Sequence, residues 1–290
     1  MANRRALVKR RKAVRSTRKI TRTMQLIATA RYQAALNRVI ATRPFTRKVA
    51  ELLADLARAA GGLEHPLLKP NEGTKVSDLL VLTADRGLAG GYNANVLRAA
   101  IAHLDGQRAQ GLEPRVHMVG KKGIAYFRFL RRPVAQQTSG IGDRPRFEQV
   151  EPFANALIDR YLRGEIASAH VAYMRFLSAG QQRPMVVQLL PLQPEVTPGE
   201  KKAQPVEYEF SPGPRQLLDE LLPAIVRVQL FHAFNDAAAS EQVARMVAMK
   251  AATDAAGDMI KALTRQYNRA RQTQITMELL DIVGGADALS

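Results

Sequence analysis

The feature that most constrains this chain is the length of helix that its N-terminal end predicts. Residues 3–60 contain no glycine and a single proline, and they are rich in alanine, arginine, leucine and lysine. These four residue types are strong helix formers. At about 1.5 Å per residue, a helix of about 55 residues reaches roughly 80 Å. Such a helix is too long to lie inside a compact domain, so its apolar stripe needs another elongated element to cover it.

The C-terminal end predicts a second long helix. Residues 215–283 contain one proline, Pro223, and one interior glycine, Gly257. Alternate steps of 3 and 4 from Leu218 to Met277 visit 18 positions, and 13 of these are apolar. This spacing is typical of a helix that buries one face along its whole length.

A matching stripe runs along the first helix. Five residues that step by 4, 3, 4 and 3 form its predicted seam: Ile20, Met24, Ile27, Arg31 and Ala34. Two long stripes in one chain bury each other most economically as an antiparallel coiled coil of the two chain ends.

Between the ends, short apolar runs alternate with helical stretches. Strands are predicted at residues 79–83, 116–119, 169–176 and 185–190. Helices are predicted at residues 95–105 and 147–163. This alternation favours a mainly parallel sheet with helices on its faces.

The predicted fold class is therefore α/β, a long antiparallel coiled coil of the N- and C-terminal helices with an inserted Rossmann-like α/β domain. The predicted segments are an N-terminal helix at 1–60, an α/β globular domain at 75–192, a connector at 193–214 and a C-terminal helix at 215–290. The proline-rich connector has one candidate edge strand, at residues 206–210.

Charge is concentrated at the N-terminal end. The whole chain has 43 basic and 26 acidic residues, whereas residues 1–50 have 15 basic residues and no acidic one. An acid-free segment of this kind predicts an acidic partner. One class of protein that this admits is a basic coiled coil that binds nucleic acid. Only two aromatic residues, Tyr32 and Phe45, lie in this segment, which gives bases little to stack on.

A glycine-rich turn follows the first predicted strand and precedes a helix. Its spacing is GxxGG, which is neither the GxGxxG of dinucleotide sites nor a P-loop. A tight structural turn is therefore favoured over the alternative of a nucleotide-binding enzyme. The turn residues are Asp85, Arg86, Gly87, Gly90 and Gly91.

No catalytic or metal-binding group is predicted. The chain has no cysteine, which excludes thiolate metal sites and disulfides. The histidines are widely spaced and are interpreted as surface or packing residues: His65, His103, His117, His170 and His232.

Three parts of the chain resemble the gamma subunit of rotary F-type ATP synthases. Residues 20–31, ITRTMQLIATAR, are similar to the ITxxM helix of that family, and residues 83–93, TADRGLAGGYN, to its DRGLCGG-N turn. Residues 239–246, ASEQVARM, and 267–279, YNRARQTQITMEL, are similar to its C-terminal motifs. Ala89 stands where most members have cysteine, and residues 121–145 match the family poorly.

The resemblance implies a central rotor shaft that stands inside a ring of alpha and beta subunits. It also implies contacts with the epsilon subunit and the membrane rotor ring, at the cytoplasmic face of the bacterial inner membrane. No active site, cofactor, metal, nucleic acid or membrane span of its own is expected. The matching motifs assign contacts with beta-subunit loops to Arg271, Gln272, Thr276 and Glu278, with Met24 near them on the other helix.

Overall fold

The computed structural model describes residues 4–59, 65–193 and 214–287, and their side chains over 4–41, 65–193 and 217–284. The candidate strand at 206–210 and nearly all of the connector lie outside these residues. The helices are α1 (Arg4–Ala59), α2 (Tyr92–Ala109), α3 (Lys121–Phe129), α4 (Phe147–Leu162) and α5 (Pro214–Asp287), with a 3-10 turn at Pro66–Leu68. The strands are β1 (Val76–Leu82), β2 (Glu113–Val119), β3 (Gln136–Thr138), β4 (Ser168–Ser178) and β5 (Gln181–Leu190).

Two compact units divide the chain. The helix-pair unit comprises Met1–Thr29 and Arg245–Ser290, and the α/β unit comprises Ala30–Ala244. Their boundaries fall inside α1 and α5, whereas the four segments predicted from sequence end at the helix termini. The four-segment division stays a prediction.

The prediction of two long terminal helices is confirmed. α1 has 56 residues and α5 has 74, and α5 continues through Pro223. Proline is accommodated there although it removes one backbone hydrogen bond.

The inserted sheet is mainly parallel, as predicted. Its five strands lie in the order β3-β2-β1-β4-β5. Every neighbouring pair is parallel except β4 and β5, which are antiparallel. β1 lies at the centre, and because both of its faces are covered its second half, residues 79–82, is a continuous apolar run in the sequence.

Alternate residues of β1 belong to two separate cores. Leu80 and Leu82 pack with α4 and with the first part of α5. Leu79 and Val81 pack with α2 and α3 on the other face of the sheet. Sequence patterning missed α3 and β3, since α3 has only nine residues and β3 only three.

In the helix-pair unit, α1 and α5 are antiparallel. Thr253 Oγ1 donates a hydrogen bond of 2.8 Å to Thr21 Oγ1, and the Arg11 guanidinium lies 4.9 Å from the centre of the Tyr267 ring. Lower numbers on α1 therefore face higher numbers on α5. The predicted antiparallel direction of the two helices is therefore confirmed.

The predicted α1 seam is wrong by one residue. Ile20 is 60% exposed and Ile27 is 47% exposed, whereas Thr21 is 9% and Ala28 is 1% exposed. Small side chains occupy the buried positions of this part of α1, and the larger isoleucines face outward. On α5 the predicted stripe holds better, because Met249, Thr253, Ala256 and Leu263 are buried.

Two histidines that are distant in sequence meet inside the α/β unit. The rings of His103 on α2 and His170 on β4 lie 4.5 Å apart. Gln107 Nε2 lies 3.4 Å from His170 Nδ1, and Gln107 Oε1 accepts a hydrogen bond from Ser77. Burial, followed by the nearby His103, lowers the pKa of His170 from 6.5 to about 4. The pKa of His103 is also lowered by burial.

We expect the α/β unit to lose stability as the pH falls from 6.5 towards 4. In that range the unfolded chain binds a proton at residue 170 that the folded chain excludes, so the neutral form favours folding only at higher pH. The loss should be about 2 kcal/mol between about pH 7 and pH 4.5. Urea unfolding followed by circular dichroism measures it, and His170→Gln should flatten this part of the profile. Identical slopes in the two proteins would contradict the account.

Candidate functional site

The turn after β1 is organised by the carboxylate of Asp85. Its Oδ1 accepts a hydrogen bond of 3.0 Å from the backbone N–H of Lys121, the first residue of α3. Its Oδ2 accepts one of 2.9 Å from the backbone N–H of Gly140 in the loop after β3. One side chain thus ties together the loops that follow β1, β2 and β3.

Asp85 occupies a position that suits an anion. The N-terminus of a helix attracts negative charge because its first N–H groups lack helical partners. In nucleotide-binding folds a phosphate can fill such a position. Here the protein fills the α3 N-terminus with its own carboxylate, which favours a structural turn.

The glycines of the turn have different backbone geometries. Gly90 has a φ of 54°, in the left-handed region, whereas Gly91 has a φ of −81°. The other left-handed residue of the turn is Leu88, with a φ of 63°. Asn93 closes the turn, since its Oδ1 accepts a hydrogen bond of 2.9 Å from the backbone N–H of Ala84.

A cavity of about 280 Å³ lies beside this turn within the α/β unit. Its walls include Asp85 and Arg86, the ends of β1 and β2, and Phe234 on α5. In open parallel sheets, ligands bind beside the carboxyl ends of the strands, which is where this cavity lies. However, small-molecule sites usually measure about 300–1,000 Å³, so the cavity is small for a dinucleotide.

A polar cluster that the sequence did not predict borders the same cavity. Arg31 of α1 forms an ion pair with Asp143, in the loop between β3 and α4. Gln242 of α5 donates a hydrogen bond of 3.0 Å to Asp143 Oδ1. Asp143 lies within residues 121–145, where no family motif pointed to a role, and its partners are about a hundred residues away.

The predicted contact residues on α5 are accessible. Arg271, Gln272, Thr276 and Glu278 are exposed, and Glu278 Oε1 accepts a hydrogen bond of 2.8 Å from Gln274 Nε2. Their assignment as contacts of a partner stays a prediction.

Met24 does not lie near these four residues, so that part of the prediction is wrong. Thr21 faces Thr253, and because the helices are antiparallel, Met24 faces a residue before Thr253 on α5. Residue 271 is then about 20 positions away, which is roughly 30 Å along the helix. The residues opposite this part of α5 are Arg4 and Leu7, which border a groove of about 750 Å³ with Thr273 and Met277.

Large apolar side chains cover the end of α5 without burial. Six of them are between 44% and 68% exposed: Ile275, Met277, Leu279, Leu280, Ile282 and Val283. Exposed large apolar side chains at six of nine successive positions are more than scattered surface residues, and such groups often mark an interaction site.

Within the described ranges, no cluster of histidine, aspartate or glutamate residues has the arrangement of a metal site. No helix described by the structure is long and apolar enough to cross a membrane.

Known proteins of one family match this chain over nearly its full length. The sequence profile of the family described as ATP synthase matches residues 3–289. The chain is 42% identical to the ATP synthase gamma chain of Rhodopirellula baltica, over 100% of this chain and 99% of that protein. It is 41% identical to the ATP synthase gamma chain of Saccharopolyspora erythraea, covering 100% and 98%.

Solved structures share the fold. A chain of the Euglena gracilis mitochondrial ATP synthase, solved by cryo-EM with OSCP, F1 and the c-ring, matches with a TM-score of 0.70 at 19% identity. The match covers 99% of this chain and 94% of that chain. A chain of the Tetrahymena thermophila central stalk and c-ring matches with a TM-score of 0.58 at 19% identity, covering 80% and 99%.

The fold described above, a mainly parallel five-stranded sheet whose sequence is inserted between two long terminal helices, is thus shared with these chains of ATP synthase complexes. The chain belongs to the ATP synthase gamma chain family. The alternative of a nucleic-acid-binding coiled coil gains no support from the relatives.

We expect Asp85→Asn to destabilise the α/β unit by about 1–2 kcal/mol. The amide keeps one acceptor but turns an NH₂ group towards a second backbone N–H, and a charge at the α3 N-terminus is lost. Urea unfolding measures the change. Asp159→Asn, at an exposed carboxylate of α4, is the matched control and should cost less than about 0.5 kcal/mol. Equal effects of the two substitutions would refute a structural role for Asp85.

Proposed function

We propose that this chain is the central rotor-stalk subunit of an F-type ATP synthase and couples ion-driven rotation to ATP synthesis or hydrolysis at the beta subunits. Its partners are the alpha and beta subunits, the epsilon subunit and the membrane rotor ring. It acts as a peripheral, non-catalytic subunit at the cytoplasmic face of the bacterial plasma membrane. The full-length similarity to ATP synthase gamma chains supports this proposal.

The observation that carries the proposal is the exposed apolar end of α5. Six large apolar side chains between residues 275 and 283 lie 44–68% exposed, which disfavours a free helix end in water. A surrounding ring of subunits would cover them. The acid-free first part of α1 adds a charged surface to the same unit.

The two helices of the helix-pair unit differ in charge. Residues 4–29 carry 10 basic and no acidic residues, whereas residues 245–287 carry 6 basic and 5 acidic residues. Because the helices lie side by side, one face of the pair is strongly basic and the other is nearly neutral. The pair therefore cannot present the same surface to three subunits placed around it.

This asymmetry is what a rotor needs in order to act on three equivalent sites. A ligand shifts a conformational equilibrium only by its difference in affinity for the two states. About 5.5 kcal/mol is required to move a site from 1:99 to 99:1. Exposed ion pairs contribute about 0–1 kcal/mol each, so several contacts must add up. Weak individual contacts also allow the pair to turn.

Reconstitution tests the proposal directly. Alpha and beta subunits alone should hydrolyse ATP slowly, and adding this chain should raise turnover at least about tenfold, since differential contact on the order of 1.4 kcal/mol suffices for that factor. Steady-state ATPase rates measure the effect. A rate that does not respond to the chain would contradict the function.

The double variant Arg271→Ala with Gln272→Ala tests the contact residues in the same assay. We expect roughly a tenfold loss of coupled activity, because truncation of an interface contact commonly costs more than 1 kcal/mol. Arg265→Ala with Gln266→Ala is the matched control, since it removes the same two side-chain types from exposed positions of the same helix. Equal loss in both double variants would remove the assignment while leaving the subunit function intact.

A further inference from the structure

The loop between β3 and α4 reaches both long helices within the α/β unit. It contains two glycines with left-handed backbones, Gly140 with a φ of 90° and Gly142 with a φ of 72°. Such conformations are open to glycine at little cost. The next residue, Asp143, follows directly from this shaped backbone, and its side chain is only 22% exposed.

Three side chains from two helices converge on Asp143. On α1, Arg31 forms an ion pair with Asp143 Oδ2, and Arg38, seven residues later on the same helix face, donates a hydrogen bond of 3.0 Å to the Asp143 carbonyl oxygen. On α5, Gln242 Nε2 donates a hydrogen bond of 3.0 Å to Asp143 Oδ1. One residue of the loop is therefore bonded to both helices.

The charges around Asp143 make it difficult to replace. The pKa of Arg38 is lowered by burial and then by the neighbouring Arg144, and it is raised by Asp143. The Asp143 carboxylate thus offsets a local excess of positive charge. An uncharged residue in its place would leave the repulsion between Arg38 and Arg144 without this offset and would remove the ion pair of Arg31.

Torque would tend to rotate the long helices relative to the sheet, and directional bonds between them would resist such a rotation. Apolar packing is not directional, so it resists the slip of a helix against a sheet less specifically than hydrogen bonds do. Charge-assisted hydrogen bonds fix orientation as well as distance. α5 has other directional bonds to the sheet, such as Ser240 Oγ to the Met174 carbonyl oxygen at 3.1 Å. On α1, Arg31 and Arg38 each direct a charged contact to Asp143.

We propose that Asp143 is the positioning residue that transmits torque between the long helices and the sheet within the α/β unit. This inference rests on the rotor function proposed above. It assigns a specific mechanical role to a residue of the loop between β3 and α4. Loss of the carboxylate should let the sheet lag behind the helices under load, so that ATP is hydrolysed without full ion transport.

The test compares Asp143→Asn with the wild-type chain in the complete complex reconstituted into vesicles. We expect ATP hydrolysis within about twofold of wild type and at least about a threefold fall in ions pumped per ATP. Arg31→Gln should give a similar fall, and the double variant should be no worse than either single one, since all three break the same contact.

Asp105→Asn is the matched control. Asp105 also lies within ion-pair distance of two arginines, Arg108 and Arg132, but it is 52% exposed and has no contact with the long helices described here. It should pump as the wild type does. Full pumping by Asp143→Asn, or an equal fall in Asp105→Asn, overturns the proposal.

Further measurements distinguish a failure of assembly, a failure of the Asp143 contact and a failure of the rotor function. If Asp143→Asn does not assemble, Arg31→Gln carries the test, and full coupling in that variant overturns the proposal. Hydrogen exchange in the assembled complex should be faster in Asp143→Asn over residues 31–39 of α1, and unchanged exchange counts against the contact. A wild-type complex without ATP-driven pumping would instead refute the rotor function.

Discussion

The antiparallel packing of α1 and α5 is the interaction on which the rest of the structure depends. Neither helix can bury its apolar stripe alone, because an isolated helix in water gains too little from its own backbone. Thr21 and Thr253 are hydrogen-bonded at the contact, and Ala28 and Ala256 are buried. With small residues at the contact, large apolar side chains such as Ile20 and Leu279 are left on the outer surface. The packing therefore also creates the surface that partner subunits would cover.

The α/β unit combines a strand order that is common in nucleotide-binding folds with an edge that its own residues occupy. Its glycine-rich turn lies where a dinucleotide site begins in related folds. The carboxylate of Asp85 takes the anion position at α3, and the loop after β3 directs Asp143 towards the long helices. The edge of the sheet that commonly binds a ligand instead binds other parts of the same chain.

Sequence reasoning succeeded where a pattern repeats over many residues. Both long helices, the central strands and the α5 stripe were predictable, because their apolar periodicity is strong and local. The α1 seam was misplaced, since alanine and threonine, not the isoleucines, fill the contact. The register that separates Met24 from Arg271, the meeting of His103 with His170 and the cluster at Asp143 depend on which distant residues meet, and a single sequence does not carry that information.

A cysteine cross-link can measure the antiparallel register of α1 and α5, because the chain has no cysteine of its own. The hydroxyl oxygens of Thr21 and Thr253 are 2.8 Å apart, so cysteines in their places lie close enough for a disulfide. With this register, Thr21→Cys with Thr253→Cys should cross-link within the assembled complex on mild oxidation while ATP hydrolysis continues. Met24→Cys with Gln272→Cys should not cross-link. A cross-link in the second pair but not in the first would contradict this register.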